Sequence, residues 1–245
     1  MAALASLRLE DVAVTLSDGD RSFRISTGRL ELGAGDIIGL SGGSGTGKTL
    51  LLEVLGLLRQ PDPGGAFVLR AQDLSVDLHA TGGASRAAEL RGQFFGFVPQ
   101  TGGLLPFLTV AENIALSQQI AGISDPQWIT ELTSRLGLTG LDRLTPSALS
   151  IGQRQRVSIA RALAHRPVFV IADEPTAALD PEAAMAAMGL LIEAAERGGS
   201  GVIISSHDIG LLGQFAMRRV HLGLAPGSAE GRVHSVLAPL QEAAA

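Results

Sequence analysis

Asp36-Ile37-Ile38-Gly39-Leu40-Ser41-Gly42-Gly43-Ser44-Gly45-Thr46-Gly47-Lys48-Thr49-Leu50-Leu51-Leu52-Glu53-Val54-Leu55 gives three structural instructions in succession. Asp36 to Leu40 is a compact apolar strand. Gly42 to Thr49 is the full G-x-x-x-x-G-K-[ST] pattern of a phosphate-binding loop. Thr49 to Leu58 is an apolar helix, ended by Arg59-Gln60-Pro61-Asp62-Pro63-Gly64-Gly65. Lys48 is the only lysine of the chain; every other strongly basic residue is arginine. A loop whose backbone N–H groups wrap phosphates leaves room for a compact ammonium on a thin stem and none for a planar fork, which explains why a lysine is kept here. Gly42, Gly43, Ser44, Gly45, Thr46, Gly47 and Lys48 are therefore expected to hold the phosphates of a nucleoside triphosphate. Thr49 is expected to place its hydroxyl on Mg²⁺, and the helix N-terminus adds its dipole to the anion site.

A second element agrees with the first. Val168-Phe169-Val170-Ile171-Ala172 is a continuous apolar run suited to a strand buried on both faces, and it ends abruptly in Asp173-Glu174. Carboxylates at the carboxyl end of such a strand lie in the crevice where open α/β sheets bind ligands. Asp173 is expected to hold Mg²⁺ through water, and Glu174 to orient and deprotonate the attacking water.

The surrounding pattern bounds the architecture. The first 35 residues alternate in short pieces broken by Asp18-Gly19-Asp20 and Gly33-Ala34-Gly35, which reads as half-buried antiparallel strands. Residues 66–72 read as another strand, 77–93 as a poorly defined Gly/Ala segment, and Phe94 to Pro99 as a buried strand. From about Leu104 to Ser150 the pattern turns helical, clearest over Ala111 to Ile120 and Trp128 to Leu136. Then come a helix (Gln153 to Ala164), a strand (Val168 to Ala172), a helix (Pro181 to Arg197) and a strand (Val202 to Ser206), the alternation of a parallel sheet. The stretch from Pro226 is Ala/Pro/Gly-rich and is expected to be a loosely held tail.

Composition excludes several classes. The 245 residues suit one large α/β domain with subdomains and exclude a tandem of two. The net charge is −5 with dispersed arginines, so a nucleic-acid partner is not expected. The absence of cysteine rules out disulfides and thiolate metal sites, and fits a reducing compartment. The N-terminus does not read as a signal peptide, and no apolar stretch is long enough to cross a bilayer. Mean hydropathy is nevertheless positive, +0.29, which permits an apolar docking surface.

Leu149-Ser150-Ile151-Gly152-Gln153-Arg154 precedes an apolar-periodic helix. A capping box accounts for Ser150 and Gln153 by itself. The segment also resembles the signature motif of ATP-binding-cassette ATPases, Leu-Ser-Gly-Gly-Gln in its commonest form. Further family marks fall in order: Gln100 after Phe97-Val98-Pro99, Ala178-Leu179-Asp180 past Asp173, and His207 after Val202 to Ser206. The resemblance covers the chain to about residue 224. It implies an α/β fold with a P-loop NTPase core, mostly parallel sheet, N-terminal antiparallel β subdomain and inserted α-helical subdomain. By that reading about 1–35 and 66–72 form the β subdomain. Residues 36–60, 94–100 and 156–224 form the core, 101–155 the helical signature subdomain and 226–245 the tail.

The resemblance further implies that Gln100 contacts Mg²⁺ and the attacking water, that His207 contacts the γ-phosphate, and that Asp180 works across a dimer interface. Ser150, Gly152 and Gln153 of one copy would close over ATP held by the loop of a second copy. A separate transmembrane permease is the other implied partner, with the chain peripheral on the cytoplasmic face of the membrane.

Gly103-Leu104-Leu105-Pro106-Phe107-Leu108-Thr109-Val110-Ala111-Glu112-Asn113 is similar to the segment after the glutamine loop in ATPases of the lipoprotein-release and macrolide-export group, and related segments occur in importers. Leu105, Phe107 and Leu108 are candidates for receiving a helix of the permease. Two departures stand out. Ile151 occupies a position usually held by glycine, which would slow turnover if that backbone needs positive φ. This leaves a regulatory, low-turnover cassette open as an alternative. The chain also has no tyrosine to stack the base; Leu16 sits near the expected place and Phe23 is the nearest aromatic.

Overall fold

The computed structural model describes residues 5–79, 84–226, 228 and 232–239. The chain opens with four strands: β1 (Ser6–Glu10), β2 (Ala13–Asp18), β3 (Arg21–Thr27) and β4 (Arg29–Gly33). The apolar strand β5 (Ile37–Ser41) runs through the glycine loop into helix α1 (Lys48–Leu55). After it come β6 (Ala66–Ala71), β7 (Leu74–Asp77), α2 (Ala84–Phe94) and β8 (Phe95–Val98). The helical stretch consists of α3 (Val110–Ala121), α4 (Pro126–Arg135) and α5 (Ile151–Leu163). The chain then alternates through β9 (Phe169–Ala172), α6 (Pro181–Glu196), β10 (Gly201–Ser205), α7 (Ile209–Gly213), β11 (Arg218–Leu224) and β12 (Arg232–Pro239).

Two sheets result. The smaller is antiparallel, in the order β4-β1-β6-β7. The larger has the order β2-β3-β12-β11-β5-β10-β9-β8, and its four strands β5, β10, β9 and β8 pair in parallel. Those central strands carry side chains to both faces, and period two splits them between two cores. Phe169, Ile171 and Ile203 pack with α1 and the antiparallel sheet, while Val170, Ala172, Val202 and Ile204 pack under α3, α5 and α6. A strand buried on both sides must be apolar at every position, which is why Asp173 interrupts the run only where β9 ends.

Three expectations change. Ala84–Phe94, expected to be poorly defined, is helix α2, whose burial is confined to Leu90 and Phe94; residues 80–83 lie outside the described residues. β2 and β3, expected in the antiparallel β unit, join the large sheet instead, because β3 pairs in parallel with β12. The tail expectation fails over Arg232–Pro239: β12 fills the slot between β3 and β11, with Ser235 fully buried and Leu237 8% exposed. Its proline is the last residue of the strand, where no further ladder donor is required. Residues 227, 229–231 and 240–245 of that tail lie outside the described residues.

Candidate active site

The loop between β5 and α1 is shaped by close backbone approach. A Cβ at Gly42 would lie 2.6 Å from the Leu222 carbonyl oxygen, and one at Gly47 within 2.6–2.7 Å of Ile25 Cδ1 and the Phe23 ring. Gly47 is also left-handed, with φ 94°, and gives α1 no side-chain cap, so the first N–H groups of the helix stay available to an anion. Lys48 is 6% exposed, and its Nζ donates to the carbonyl oxygens of Gly42 (3.0 Å) and Gly43 (3.2 Å). The ammonium thus sits inside the turn it serves.

Beside the loop, β9 and β10 deliver a connected set of polar groups. Thr49 Oγ1 donates to Asp173 Oδ2 at 2.6 Å, and Ser205 Oγ donates to Asp173 Oδ1 at 2.6 Å. The same Ser205 oxygen accepts from the Glu174 N–H at 2.9 Å. Glu174 has φ 46°, a left-handed conformation that costs an L-residue about 1–2 kcal/mol and must be held by its neighbours. Ser205 provides that hold. The turn aims the Glu174 carboxylate at three partners from three segments. Gln100 Nε2 donates to Oε2 at 3.2 Å, His207 Nε2 lies 2.5 Å from Oε1, and Lys48 Nζ lies 3.8 Å from Oε1.

Lys48, Thr49, Gln100, Glu174 and His207 line one cavity of about 510 Å³, together with Ser44, Gly45, Gly47, Leu16 and Phe23. Asp173, buried at 2% exposure, backs that cavity through Thr49. Among the described residues, no group of three or more His, Cys, Asp or Glu side chains forms a cation cage. The donors present are a hydroxyl and a carboxylate oxygen, the hard set that suits Mg²⁺ shared with phosphate oxygens.

The signature residues are elsewhere. Ser150 caps α5, accepting from Gln153 N–H at 3.1 Å while its own N–H donates to Gln153 Oε1 at 2.8 Å. Gly152 packs against residues 178–179, where a Cβ would lie 3.2 Å from the Ala178 carbonyl oxygen. Asp180 caps α6 through Ala183 N–H at 2.9 Å. None of Ser150, Gly152, Gln153 or Asp180 lines the cavity around Lys48. Ile151 is the first residue of α5, is absent from the positive-φ residues, and leaves its side chain 65% exposed. The strain that its β-branch would have introduced is therefore not there.

Ser205 is the residue that sequence reasoning missed. A signal existed: Ile204 is in parallel register with Ala172, so the next residue along β10 stands level with Asp173.

Comparison with known proteins agrees with this arrangement. The family described as ABC transporter matches residues 25–177, more than half of the chain. The chain is 37% identical over 210 residues to the lipoprotein-releasing system ATP-binding protein LolD 1 of Rhodospirillum rubrum, covering 83% of this chain and 89% of that protein. It is 38% identical over 206 residues to the macrolide export ATP-binding/permease protein MacB of Shigella flexneri, but covers only 31% of that longer protein. Among solved structures, the dimeric bacterial ABC transporter cassette MJ0796 superposes with a TM-score of 0.80 at 27% identity, covering 96% of this chain and 99% of that one. The same cassette in a post-hydrolysis state bound to ADP and Pi gives a TM-score of 0.79 at 28% identity.

Proposed function

The chain belongs to the ABC transporter family, and from that premise we propose that it is the ATP-hydrolysing subunit of a transporter of the lipoprotein-release or macrolide-export kind. It works as a head-to-tail pair of identical chains coupled to a separate membrane permease. The observation that carries this reading is the division of the site. Lys48, Gln100 and His207 converge on Glu174 within one chain, whereas Ser150 and Gly152 at the N-terminus of α5 do not line that cavity.

ATP enters with its phosphates against the α1 N-terminus. Lys48 exchanges the carbonyls of Gly42 and Gly43 for the β- and γ-phosphate oxygens, a compact charge moving a short way in a fixed loop. The γ-phosphate then stands next to Glu174, whose carboxylate takes a proton from the attacking water as the bond between the β-bridging oxygen and the γ-phosphorus breaks. Gln100 fixes that carboxylate and the water, and His207 meets the γ-phosphate. Thr49 and Asp173, with Gln100 alongside, would hold Mg²⁺, which would neutralise charge on the phosphate oxygens. Ser150 and the Gly152 N–H of the second copy supply the remaining donors at the γ-phosphate, so binding favours closure and hydrolysis releases it. Asp180 lies at the edge of the same closing surface.

Among the described residues no helix is long and apolar enough to cross a membrane. The chain sits on the cytoplasmic face of the membrane. Asn113 pins the segment before α3 by accepting from Leu105 N–H and donating to the carbonyls of Leu105 and Leu108, which leaves Phe107 75% exposed as the apolar contact for a permease helix. The low-turnover alternative loses its basis with the relaxed backbone at Ile151.

Glu174→Gln should retain ATP and accumulate as a stable dimer in size-exclusion chromatography with ATP and Mg²⁺. A strictly monomeric profile at saturating ATP would count against the mechanism.

A further inference from the structure

Gln100 stands on a turn, not on a strand or helix. The Gly102 N–H donates to the Pro99 carbonyl oxygen at 3.2 Å and closes that turn around Gln100 and Thr101. A turn aims a side chain reliably only when a rigid element supports it. Here the support is α5, which takes hold on both sides of Gln100. Gln155, 3% exposed, donates from Nε2 to the Pro99 carbonyl oxygen at 3.4 Å. Arg161 donates from Nη1 to the Gly103 carbonyl oxygen at 2.9 Å and from Nη2 to that of Gly102 at 3.4 Å. Gly102 and Gly103 are both left-handed, with φ 77° and 55°, which lets successive carbonyls meet one guanidinium.

Arg161 is half-buried, burial pulls its pKa below the ordinary arginine value, and no carboxylate pairs with it among the described residues. Taking a guanidinium out of water without a counter-ion is costly, and the two carbonyl bonds are what offsets that cost. A planar fork spans two carbonyls from one stem, which a single ammonium cannot do in a fixed direction. Ser150 caps the other end of the same helix, about 16 Å away at the rise of an α-helix.

We propose that Arg161 is the positioning residue of Gln100: it clamps the turn to α5, so that Gln100 in one site and Ser150, which serves the partner's site, are carried on one rigid piece. This deepens the mechanism above and rests on its placing of Gln100 beside Glu174 and the attacking water. While the clamp holds, Gln100 Nε2 stays 3.2 Å from Glu174 Oε2. Without it the turn keeps its own bond from Gly102 to Pro99 but shifts as a unit, and Glu174 loses the group that fixes its carboxylate. Arg161 does not line the cavity around Lys48, so the phosphate loop still takes ATP.

The test is a double-mutant cycle on steady-state ATP hydrolysis by the full chain, with Gln100→Ala, Arg161→Met and the two together. Arg161→Met should lower kcat about tenfold, the size of one lost charged hydrogen bond, with KM for ATP within about threefold. In the Gln100→Ala background the same substitution should cost less than about twofold, because the group it positions is already gone. A general loss of folding would multiply with Gln100→Ala instead. Arg161→Lys keeps the charge and one donor for the Gly103 carbonyl, so it should lose less than Arg161→Met and keeps the position testable if the methionine variant folds poorly. Unchanged kcat in Arg161→Met, a loss that multiplies in full with that of Gln100→Ala, a loss expressed only in KM, or Arg161→Lys no better than Arg161→Met would overturn the clamp and leave Gln100 in its role. A fully active Gln100→Ala chain would overturn the reading of Gln100 and this inference with it.

Discussion

Replacing Ser205 with alanine removes one buried oxygen that serves both the Asp173 carboxylate and the backbone N–H of Glu174. Its hydroxyl donates to Asp173 Oδ1 at 2.6 Å and accepts from the Glu174 N–H at 2.9 Å, in a side chain with no solvent exposure. A hydrogen bond to a charged group contributes about 1.5–3 kcal/mol and a neutral one about 0.5–1.5, so Ser205→Ala should destabilise the chain by about 2–4 kcal/mol. With a denaturant slope near 3 kcal/mol/M for a chain of this size, the urea midpoint should fall by roughly 1 M with the slope unchanged.

Function should fail in a particular way. Glu174 sits at φ 46°, and without the bond to its N–H that turn relaxes and the carboxylate drifts from Gln100 and His207. The Lys48 loop is untouched, so kcat should drop by an order of magnitude or more while KM for ATP stays within about threefold. A midpoint within about 0.2 M of the unaltered chain, or a loss expressed only in KM, would refute the reasoning.

Lys48→Arg keeps the charge but places a planar fork where a point charge is held between two carbonyls, and should weaken ATP binding at least about tenfold by calorimetry. Burial lowers the pKa of His165 below its ordinary 6.5, although a backbone bond to the Phe95 carbonyl partly opposes this. The unfolded chain therefore takes up a proton near pH 6.5 that the folded chain refuses. Stability from this group is full above that pH and is lost as pH falls from there through the lower folded value. Urea midpoints at pH 7.5 and 5.5 should differ less in His165→Gln than in the unaltered chain. Phe107→Ser should leave basal hydrolysis intact and abolish its stimulation by the permease in reconstituted vesicles, since the side chain is 75% exposed and touches no catalytic group.

What the sequence made legible followed from strong local constraints. The loop at Gly42 to Thr49 could be placed because its glycines and single lysine answer one geometric demand, and Asp173 because a doubly buried strand tolerates a charge only at its end. Neighbourhood was harder. Alternation marks β2 and β3 as strands but cannot say which sheet receives them, and β12, the partner that ties β3 into the large sheet, lies more than two hundred residues away. β12 itself was hidden because Arg232-Val-His-Ser-Val-Leu-Ala-Pro buries a serine and sits among glycine, alanine and proline. α2 was hidden because only two of its side chains are buried, too few to show a helical period. Ser205 looked like any serine until register set it beside Asp173. Ile151 carries the reverse lesson: a departure from a motif matters only if the backbone there requires what the new residue lacks, and a first-turn helical position does not.

The central claim is that each site is shared between two chains, and trans-complementation tests it most directly. Lys48→Ala lacks the phosphate cation and Ser150→Arg blocks the signature, so each variant alone should be inactive. Mixed in equal amounts, half of the pairs formed at random are heterodimers, and each contains one intact site, Lys48 of one chain facing Ser150 of the other. Hydrolysis in the mixture should recover to about a quarter of the unaltered rate. A mixture as inactive as its components, although both variants are folded and form dimers, would contradict the account.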